Sequence, residues 1–359
     1  MRPAQAILPR ACQPASAQLV GGARSREMGG NGGGGQARAV ASAARPRASG
    51  CYRLVNGALF FLFLLYIQAT SLVSFIVLLL GAAVSHGALT AHYLRILRTS
   101  FATAAGARPV LDDTKRPVIF LCNHRSWGDF WVDCALLGGT SFVSRWAVAF
   151  AIPCAALWGW SHGWLWFFKR GAKRAEGTTK WMGNFFRHSH AAFPGKGVVL
   201  YPEGTRTTEP KGLPLKHGGL AVAHQLGWPV QVVITTNKEQ VMAERSLSLG
   251  FGTKCVTSVS APLWPRDYEV CDDFIAAVCT TWRNTWEEAY GASTDAVSRP
   301  HAVLPGATSR PATSVAPCRS GTNLARLCFL TFAFIWFWRF LYAGGNNTTI
   351  VDLHAFGSR

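Results

Sequence analysis

Apolar and polar positions divide the chain into segments of different character. Residues 54–94 form a run of 41 positions without Asp, Glu, Lys or Arg. As one straight helix at about 1.5 Å per residue, this run would extend roughly 60 Å, whereas the apolar core of a bilayer is about 30 Å thick. The run therefore predicts two membrane segments, 54–70 and 71–91, separated by a turn near 68–71. They could form a hairpin, or one span followed by an interfacial helix.

The middle of the chain, residues 110–290, alternates between short apolar runs and longer mixed stretches. The apolar runs predict strands at 117–122, 197–201, 230–235 and 255–260. The mixed stretches predict helices at 128–137, 176–193, 217–226 and 273–290. This alternation predicts an α/β fold in which helices flank a mixed sheet.

The flanking segments have other compositions. Residues 1–50 contain seven arginines and one acid and are rich in Ala, Gly and Ser, which predicts a disordered basic tail ahead of a membrane unit at 51–97. An Arg-rich, acid-poor start also resembles a mitochondrial presequence. Residues 291–323 predict a Ser/Thr/Pro-rich linker. Residues 324–343 are apolar and aromatic but contain two arginines, so they suit a C-terminal membrane anchor or an interfacial helix.

An aromatic belt at 146–168 contains five tryptophans. It fits either an aromatic core or a surface that lies in the membrane interface, where tryptophan is enriched. The sequence leaves both interpretations open.

The composition favours a membrane partner. Hydrophobic residues make up 49% of the chain and charged residues only 15%, with a formal net charge of +18. Such a balance fits nucleic acid or an anionic membrane and its phosphorylated lipids. The apolar content favours the membrane, so we expect no nucleic-acid partner. The few apolar segments around a large polar middle argue against a transporter or channel.

The ten cysteines are scattered, without a Cys-x-x-Cys pair or a Cys/His cluster of zinc spacing. We expect them to be reduced and structural, and we expect no metal or other cofactor. Cys122 lies two residues before His124 and is a conceivable nucleophile, but its position at the end of an apolar run favours a place in the core.

The first candidate for chemistry follows the strand predicted at 117–122. Asn123 and His124 come directly after it, and Asp129 lies five residues beyond His124. Five positions on an ideal helix correspond to about 140° of rotation, so the two side chains meet only if a helix begins between them. Asp129 could then hold one imidazole nitrogen and leave the other as a base. Asp133, one helical turn later, is an alternative carboxylate.

The second candidate follows the strand predicted at 197–201. Glu203, Gly204, Thr205 and Arg206 predict an exposed loop, in which the arginine could bind a phosphate through its bidentate fork. Glu203 could orient Arg206, and Thr205 could donate a further hydrogen bond. A surface turn with a structural Arg–Glu pair is the alternative.

Two further basic positions could assist. Lys216 precedes glycines that open a predicted helix, which is a suitable place for an anion, and Arg170 follows the aromatic belt. Either could instead belong to a solvated basic face. A base beside an anion-binding turn, in a chain with membrane-length apolar runs, indicates group transfer onto a phosphate-bearing lipid.

The order of these motifs resembles the glycerolipid acyltransferase family, which includes the PlsC-like 1-acylglycerol-3-phosphate acyltransferases. Asn-His-x4-Asp, an apolar stretch ending in Arg, Pro-Glu-Gly-Thr-Arg, Leu-Lys-x-Gly and Trp-Pro-Val follow one another over roughly 115–235. The resemblance implies a glycerolipid acyltransferase-like domain at 110–290 with N-terminal membrane helices.

The resemblance also implies a reaction: transfer of an acyl group from acyl-CoA to the sn-2 hydroxyl of lysophosphatidic acid, giving phosphatidic acid. His124 would be the general base, oriented by Asp129, and the hydroxyl would attack the thioester directly. Six residues would bind the acceptor phosphate or assist: Glu203, Gly204, Thr205, Arg206, Arg170 and Lys216. Acyl-CoA is a co-substrate here, and the partners are membrane lipid and a lysophospholipid acceptor. The expected compartment is the endoplasmic reticulum membrane, with a mitochondrial membrane as the alternative.

The chain departs from the family pattern at a few positions. Tyr201 stands where the third block usually has phenylalanine, and the second block has its glycine, Gly163, one position early. The His–Asp pair is intact, so the departures bear on the acceptor rather than on the reaction.

Two other functions stay open at the level of sequence. The same mechanism could acylate glycerol-3-phosphate or another lysophospholipid. The chain could also be a non-enzymatic membrane protein that binds anionic lipid, although binding alone does not need the His124–Asp129 pair.

Overall fold

The structure of the chain is a computed structural model that describes residues 50–80, 84–111, 117–168, 177–192, 197–294, 299–300 and 304–307. The predicted basic tail, most of the predicted linker and the predicted anchor at 324–343 lie outside these residues.

The uncharged run forms one long helix and one short helix. Helix α1 spans Gly50–Leu79 and α2 spans His86–Ile96, so the turn predicted near 68–71 is wrong. The polar side chains there are bonded inside the helix instead, as shown by the Thr70 hydroxyl, which donates to the Tyr66 carbonyl at 2.9 Å. Such back-bonding allows Ser and Thr to lie within a helix.

Helix α1 has one covered face and one uncovered face. Buried residues recur along it every three or four positions, which is the helical spacing of a single face: Phe60, Phe63, Ile67, Ser71 and Phe75. The opposite face exposes large apolar side chains such as Leu62 and Leu65. Among the described residues, Arg53–Leu79 is the one helix that is long and apolar enough to cross a membrane.

The remaining helices are mostly short. In chain order they are α3 (Gly128–Leu136), α4 (Trp146–Ala151), α5 (Pro153–Ser161), α6 (Thr178–Ala192), α7 (Gly218–Leu226), α8 (Lys238–Val241) and α9 (Cys271–Gly291). A single 3₁₀ turn covers Pro265–Asp267. The four helices that the sequence predicts in this domain correspond to α3, α6, α7 and α9.

The strands follow the same alternation. They are β1 (Ser100–Thr103), β2 (Val118–Cys122), β3 (Ser141–Arg145), β4 (Leu165–Phe168), β5 (Gly197–Leu200), β6 (Val230–Thr235), β7 (Met242–Ala243), β8 (Ser248–Leu249), β9 (Lys254–Val259) and β10 (Arg299–Pro300). The four predicted strands correspond to β2, β5, β6 and β9.

The described strands form one large sheet and one small hairpin. The order in the large sheet is β10-β1-β9-β6-β2-β5-β3-β4. Strands β6, β2, β5, β3 and β4 are parallel, whereas β9 is antiparallel to β6 and β10 is antiparallel to β1. Strands β7 and β8 pair with each other. The predicted mixed α/β sheet is confirmed.

Two hydrophobic cores lie on opposite faces of this sheet. Because alternate residues of a strand point to opposite faces, β2 contributes Val118, Phe120 and Cys122 to one core and Ile119 and Leu121 to the other. Helices α1, α2, α3 and α5 cover the first face, and α6, α7 and α9 cover the second. The domain therefore has three layers.

The aromatic belt is divided between core and surface. Trp158, Trp164 and Trp166 are buried, in agreement with an aromatic core. Trp146 and Phe150, both on α4, remain 40% and 57% exposed. This exposed part of the belt suits contact with a membrane interface.

Candidate active site

Both motif loops begin at the carboxyl-terminal ends of central strands of the sheet. Strands β6, β2 and β5 are parallel neighbours, so their carboxyl ends lie side by side, which is where open α/β sheets bind ligands. The Asn123 side chain joins the ends of two of them. Its amide donates to the Thr235 carbonyl at 2.9 Å and accepts from the Thr235 N–H at 3.1 Å.

His124 and Asp129 form a hydrogen-bonded pair, as the sequence predicts. Helix α3 begins at Gly128, so the chain turns after His124 and Asp129 reaches back from the first helical turn. The distance between His124 Nδ1 and Asp129 Oδ2 is 2.8 Å. The same oxygen accepts the backbone N–H of Arg125. Asp129 is fully buried, whereas the His124 side chain is 23% exposed.

The charge state of Asp129 follows from its surroundings. Burial raises the pKa of this carboxyl, but the positive charge of Lys238 and the hydrogen bond from His124 outweigh burial and lower the pKa below its ordinary value. An ionised carboxylate only accepts hydrogen bonds. His124 Nδ1 must therefore carry the proton in this pair, which leaves Nε2 as the basic nitrogen.

Tyr201 packs against the other side of the imidazole. The two ring centroids are 4.2 Å apart and the rings are tilted by only 15°. The Tyr201 hydroxyl reaches inward and donates to Asp133 at 3.0 Å. Asp133, the alternative carboxylate in the sequence, therefore meets Tyr201 and Lys238 rather than His124.

Glu203 has a different partner from the one expected. Its Oε1 accepts the His124 backbone N–H at 2.8 Å, and its Oε2 accepts the Leu213 N–H at 2.9 Å. The prediction that Glu203 orients Arg206 is wrong, because the buried carboxylate is used by backbone donors. Burial raises the pKa of Glu203, and the two backbone hydrogen bonds oppose this rise. Glu203 therefore joins the second motif loop to the first.

Arg206 pairs with a carboxylate that the sequence does not indicate. Its Nη1 lies 2.6 Å from Glu244 Oε1, and its guanidinium lies 5.9 Å from the centre of the Trp127 ring. Glu244 Oε2 also accepts the Trp127 N–H at 3.2 Å. The Arg206 side chain is still 35% exposed, so an anion can reach it.

Gly204 and Lys216 lie against each other. Gly204 has φ of 72°, a left-handed conformation that favours glycine. A side chain built there would approach Lys216 Nζ to 2.5 Å. Lys216 and Thr205 are both exposed. The structure thus brings Lys216 beside the loop of Gly204, Thr205 and Arg206, whereas Arg170 lies outside the described residues.

Arg125, next to His124 in the first motif loop, is hydrogen-bonded to the backbone that follows the second motif loop. It is buried, and its guanidinium donates to the carbonyls of Glu209 at 2.7 Å and Thr208 at 3.1 Å. In addition, the Thr207 N–H donates to the His124 carbonyl at 2.9 Å. Arg125 is therefore a structural residue that connects the two motif loops.

The sequence analysis does not identify two charged residues of the site. Lys238 follows the end of β6, and Glu244 lies between β7 and β8. A charge three residues after the apolar strand β6 is the available signal for Lys238. Glu244 offers no comparable signal, because it follows only a two-residue strand.

The described residues contain no group of three His, Cys, Asp or Glu side chains arranged to hold a metal ion. The seven described cysteines are free thiols. Cys122 is buried in β2, and burial raises its pKa well above the ordinary value, which fits a core thiol rather than a nucleophile.

Comparison with known proteins agrees with the motif resemblance. Residues 102–236 match the family model Acyltransferase. No curated protein matches the chain. Among solved structures, a similar one is the crystal structure of the 1-acyl-sn-glycerophosphate (LPA) acyltransferase, PlsC, from Thermotoga maritima. The match has a TM-score of 0.53 and 16% identity, and it covers 67% of this chain and 99% of that chain.

The region that matches the family contains both motif loops, the His124–Asp129 pair and Lys216. The solved structure supports the same fold for a larger part of the chain. Residues 102–236 therefore resemble the Acyltransferase family, and the described part of the chain shares the α/β fold of the PlsC structure.

Proposed function

We propose that the protein is a membrane-associated enzyme that transfers an acyl group from acyl-CoA to the sn-2 hydroxyl of lysophosphatidic acid, forming phosphatidic acid. The observation that carries this proposal is the His124–Asp129 hydrogen bond, which lies beside the Arg206 loop. A protein that only binds lipid has no need of a buried carboxylate that fixes the tautomer of a histidine.

The first step is proton removal from the acceptor. His124 Nε2 accepts the proton of the acceptor hydroxyl while the hydroxyl oxygen attacks the thioester carbonyl carbon. Asp129 stabilises the imidazolium that forms, because its ionised oxygen lies 2.8 Å from Nδ1. General-base assistance of this kind contributes about 10²- to 10⁴-fold to a rate.

The second step releases the thiol. The attack leaves the carbonyl oxygen as an oxyanion. When this oxygen re-forms the C=O bond, the C–S bond breaks and its electron pair leaves with the sulfur of CoA, while the new ester C–O bond remains. The imidazolium returns its proton to this thiolate, so His124 is neutral again at the end of the cycle. No acyl group is attached to the enzyme, in keeping with a buried Cys122.

The acceptor phosphate is assigned to the second loop. Arg206 and Lys216 supply positive charge, and exposed Thr205 supplies a hydroxyl donor. Arg206 lies 5.9 Å from the ring of Trp127, the third residue after His124, which supports a position for this charge near the base. A glycerol phosphate held there has its phosphate and its hydroxyl close to the two groups that act on them.

The membrane association is assigned to α1. Its buried stripe from Phe60 to Phe75 contacts the domain along much of the helix, while the opposite apolar face is uncovered. A helix that is attached along its length suits a position in the membrane interface with the domain beside it. This placement gives the site access to a lipid acceptor in the same leaflet.

The test is an acyl-transfer assay with purified protein in nanodiscs, using labelled oleoyl-CoA. The acceptors are lysophosphatidic acid, glycerol-3-phosphate, lysophosphatidylcholine and lysophosphatidylinositol. We expect transfer to lysophosphatidic acid only. Transfer to a different acceptor would overturn the substrate, and no transfer by folded protein would overturn the enzymatic proposal.

Arg206→Ala tests the phosphate assignment in the same assay. Losing one charged hydrogen-bond donor should raise the acceptor KM about 10- to 100-fold and leave the acyl-CoA KM unchanged. The matched control is Arg187→Ala, which removes an exposed arginine on α6. An unchanged acceptor KM in Arg206→Ala would count against the assignment.

A further inference from the structure

A buried ion pair lies behind the His124–Asp129 pair. Lys238 and Asp133 have side chains with no exposed surface. Lys238 Nζ lies 2.9 Å and 3.0 Å from the two oxygens of Asp133, and 2.7 Å from the Asn123 carbonyl oxygen. The ammonium group has three N–H donors and therefore finds three acceptors.

Both groups carry charge in this position. Burial lowers the pKa of Lys238, but the charges of Asp133 and Asp129 outweigh burial and raise it. Burial raises the pKa of Asp133 to about 6, against the opposing effect of Lys238. Removing such charges from water costs free energy that the pair only partly recovers, so a buried ion pair is weak evidence for a role in stability.

The ion pair is connected to the candidate base through three neighbouring residues. Lys238 contacts the carbonyl of Asn123, the residue directly before His124. Lys238 is also the strongest of the charges that lower the pKa of Asp129. Asp133 accepts the hydroxyl of Tyr201, whose ring stacks on His124. The backbone, the carboxylate partner and one face of the imidazole are thus all connected to one ion pair.

The Tyr201 hydroxyl connects the ring on His124 to the ion pair, because it donates to Asp133 at 3.0 Å. Asp133 lies one helical turn after Asp129, so α3 carries both carboxylates. Tyr201, Asp133 and Lys238 therefore fit together as a set.

We propose that Lys238, Asp133 and Tyr201 form a positioning unit that fixes the backbone and the ring of His124 and so keeps its Nδ1 on Asp129. The three residues act through His124 and Asp129 and do not touch the substrate. The proposal rests on the function proposed above, in which His124 is the base.

The kinetic test compares variants that separate positioning from folding. Lys238→Met and Asp133→Asn each leave one buried charge unpaired, so they are expected to fold poorly. The double variant, Asp133→Asn with Lys238→Met, removes both charges and is expected to fold. We expect its kcat to fall about 10- to 100-fold with the acceptor KM within about twofold of the parent. Parental kcat in the folded double variant would overturn the proposal.

Tyr201→Phe is the mildest change in the unit. It keeps the ring on His124 and removes only the hydroxyl, so kcat should fall less than in the double variant. The matched control is Ser258→Ala, which removes a buried hydroxyl that donates to Glu288 at 2.6 Å on another part of the sheet. Equal losses of kcat in Tyr201→Phe and Ser258→Ala would count against a specific role for the hydroxyl.

A spectroscopic measurement makes the test independent of any substrate. Nitrogen-15 NMR of histidine-labelled protein reports the tautomer of each imidazole, and the His124 signals are those missing from His124→Gln. We expect one tautomer, protonated at Nδ1, in the parent and a mixture in the double variant. An unchanged single tautomer would overturn the positioning unit. If the parent shows one tautomer but no acyl transfer, the proposed reaction fails and the positioning unit stands.

Discussion

At the scale of single residues, the site is defined by the partner of each carboxylate. Asp129 meets the imidazole of His124, Glu203 meets two backbone N–H groups, and Glu244 meets the guanidinium of Arg206. Replacing each carboxylate is therefore expected to have a different effect under the proposed function. Loss of Asp129 should affect the base, loss of Glu203 the position of the second motif loop, and loss of Glu244 the affinity for an anion.

The pKa of Asp129 gives a prediction about stability and pH. Because the folded-state pKa is lowered from 3.8, folding favours the ionised carboxylate. Its contribution to the free energy of unfolding is complete above the pKa of the unfolded chain and is lost as the pH falls through the lower folded value. We expect Asp129→Asn to be less stable than the parent at about pH 6 and the difference to narrow below about pH 4.

Denaturant unfolding at several pH values checks this prediction. The control is Asp267→Asn, because Asp267 is 60% exposed in the 3₁₀ turn. A difference between Asp129→Asn and the parent that grows as the pH falls would contradict the assigned direction of the shift.

Glu244 gives a prediction about acceptor affinity. Its carboxylate lies 2.6 Å from the Arg206 guanidinium, so under the proposed function it would compete there with the acceptor phosphate. Glu244→Gln removes this negative charge and keeps the size of the side chain. We expect the KM for a phosphate-bearing acceptor to fall about two- to fivefold, within the range of a partly exposed charge pair.

Steady-state kinetics at low and high salt measure the effect of Glu244→Gln. The decrease in KM should be larger at low salt, because salt screens partly exposed charges. Exposed Glu269→Gln serves as the control. An increase in KM would mean that Glu244 holds Arg206 in its binding position rather than competing for it.

At the scale of elements, the length of an apolar run decides how well the sequence predicts the fold. Strands β2, β5, β6 and β9 are predicted because each apolar run is continuous and has clear ends. The two-residue strands β7, β8 and β10 are too short to leave a pattern. The turn at 68–71 is predicted wrongly because the sequence does not reveal that the Thr70 hydroxyl is bonded within the helix.

In the candidate site, too, some contacts can be predicted from the sequence and others cannot. His124 and Asp129 are close in the chain, and a helix start between them is enough to bring them together. Arg206 and Glu244 are 38 residues apart, so their pairing depends on where the β7–β8 hairpin lies relative to the loop that contains Arg206. Long-range contacts of this kind follow from the folded arrangement and have no local signature.

The two faces of α1 give a prediction at this scale. Ile67 is fully buried against the domain, whereas Leu62 is 62% exposed. Ile67→Ala should lower the free energy of unfolding by about 2–5 kcal/mol, and Leu62→Ala should change it by less than about 0.5 kcal/mol. Thermal unfolding in detergent compares the two, and equal effects would show that α1 does not dock through the stripe that contains Ile67.

At the scale of the whole molecule, the apolar face of α1 and the net charge of +18 suit the proposed association with a membrane, in particular with an anionic surface. Lysines and arginines near such a surface contribute about 1 kcal/mol each at low salt. We expect binding to vesicles that contain phosphatidic acid to be stronger than binding to neutral vesicles and to weaken as salt is raised.

Vesicle flotation with the double variant Leu62→Ser and Leu65→Ser separates the apolar and electrostatic contributions. Because both side chains are on the uncovered face, the variant should bind both kinds of vesicle less tightly while its unfolding midpoint stays at the parental value. Parental binding by this variant would contradict the assignment of the uncovered face to the membrane.

The most direct test of the account is acyl transfer from labelled oleoyl-CoA to lysophosphatidic acid by the parent, His124→Gln and Asp129→Asn, with exposed His188→Ala as control. Both site variants are expected to remain folded and to lose about 10²- to 10⁴-fold in kcat. Their acceptor KM should stay within about twofold of the parental value, and His188→Ala should stay active. Parental kcat in a folded His124→Gln variant would contradict the claim that His124 is the base.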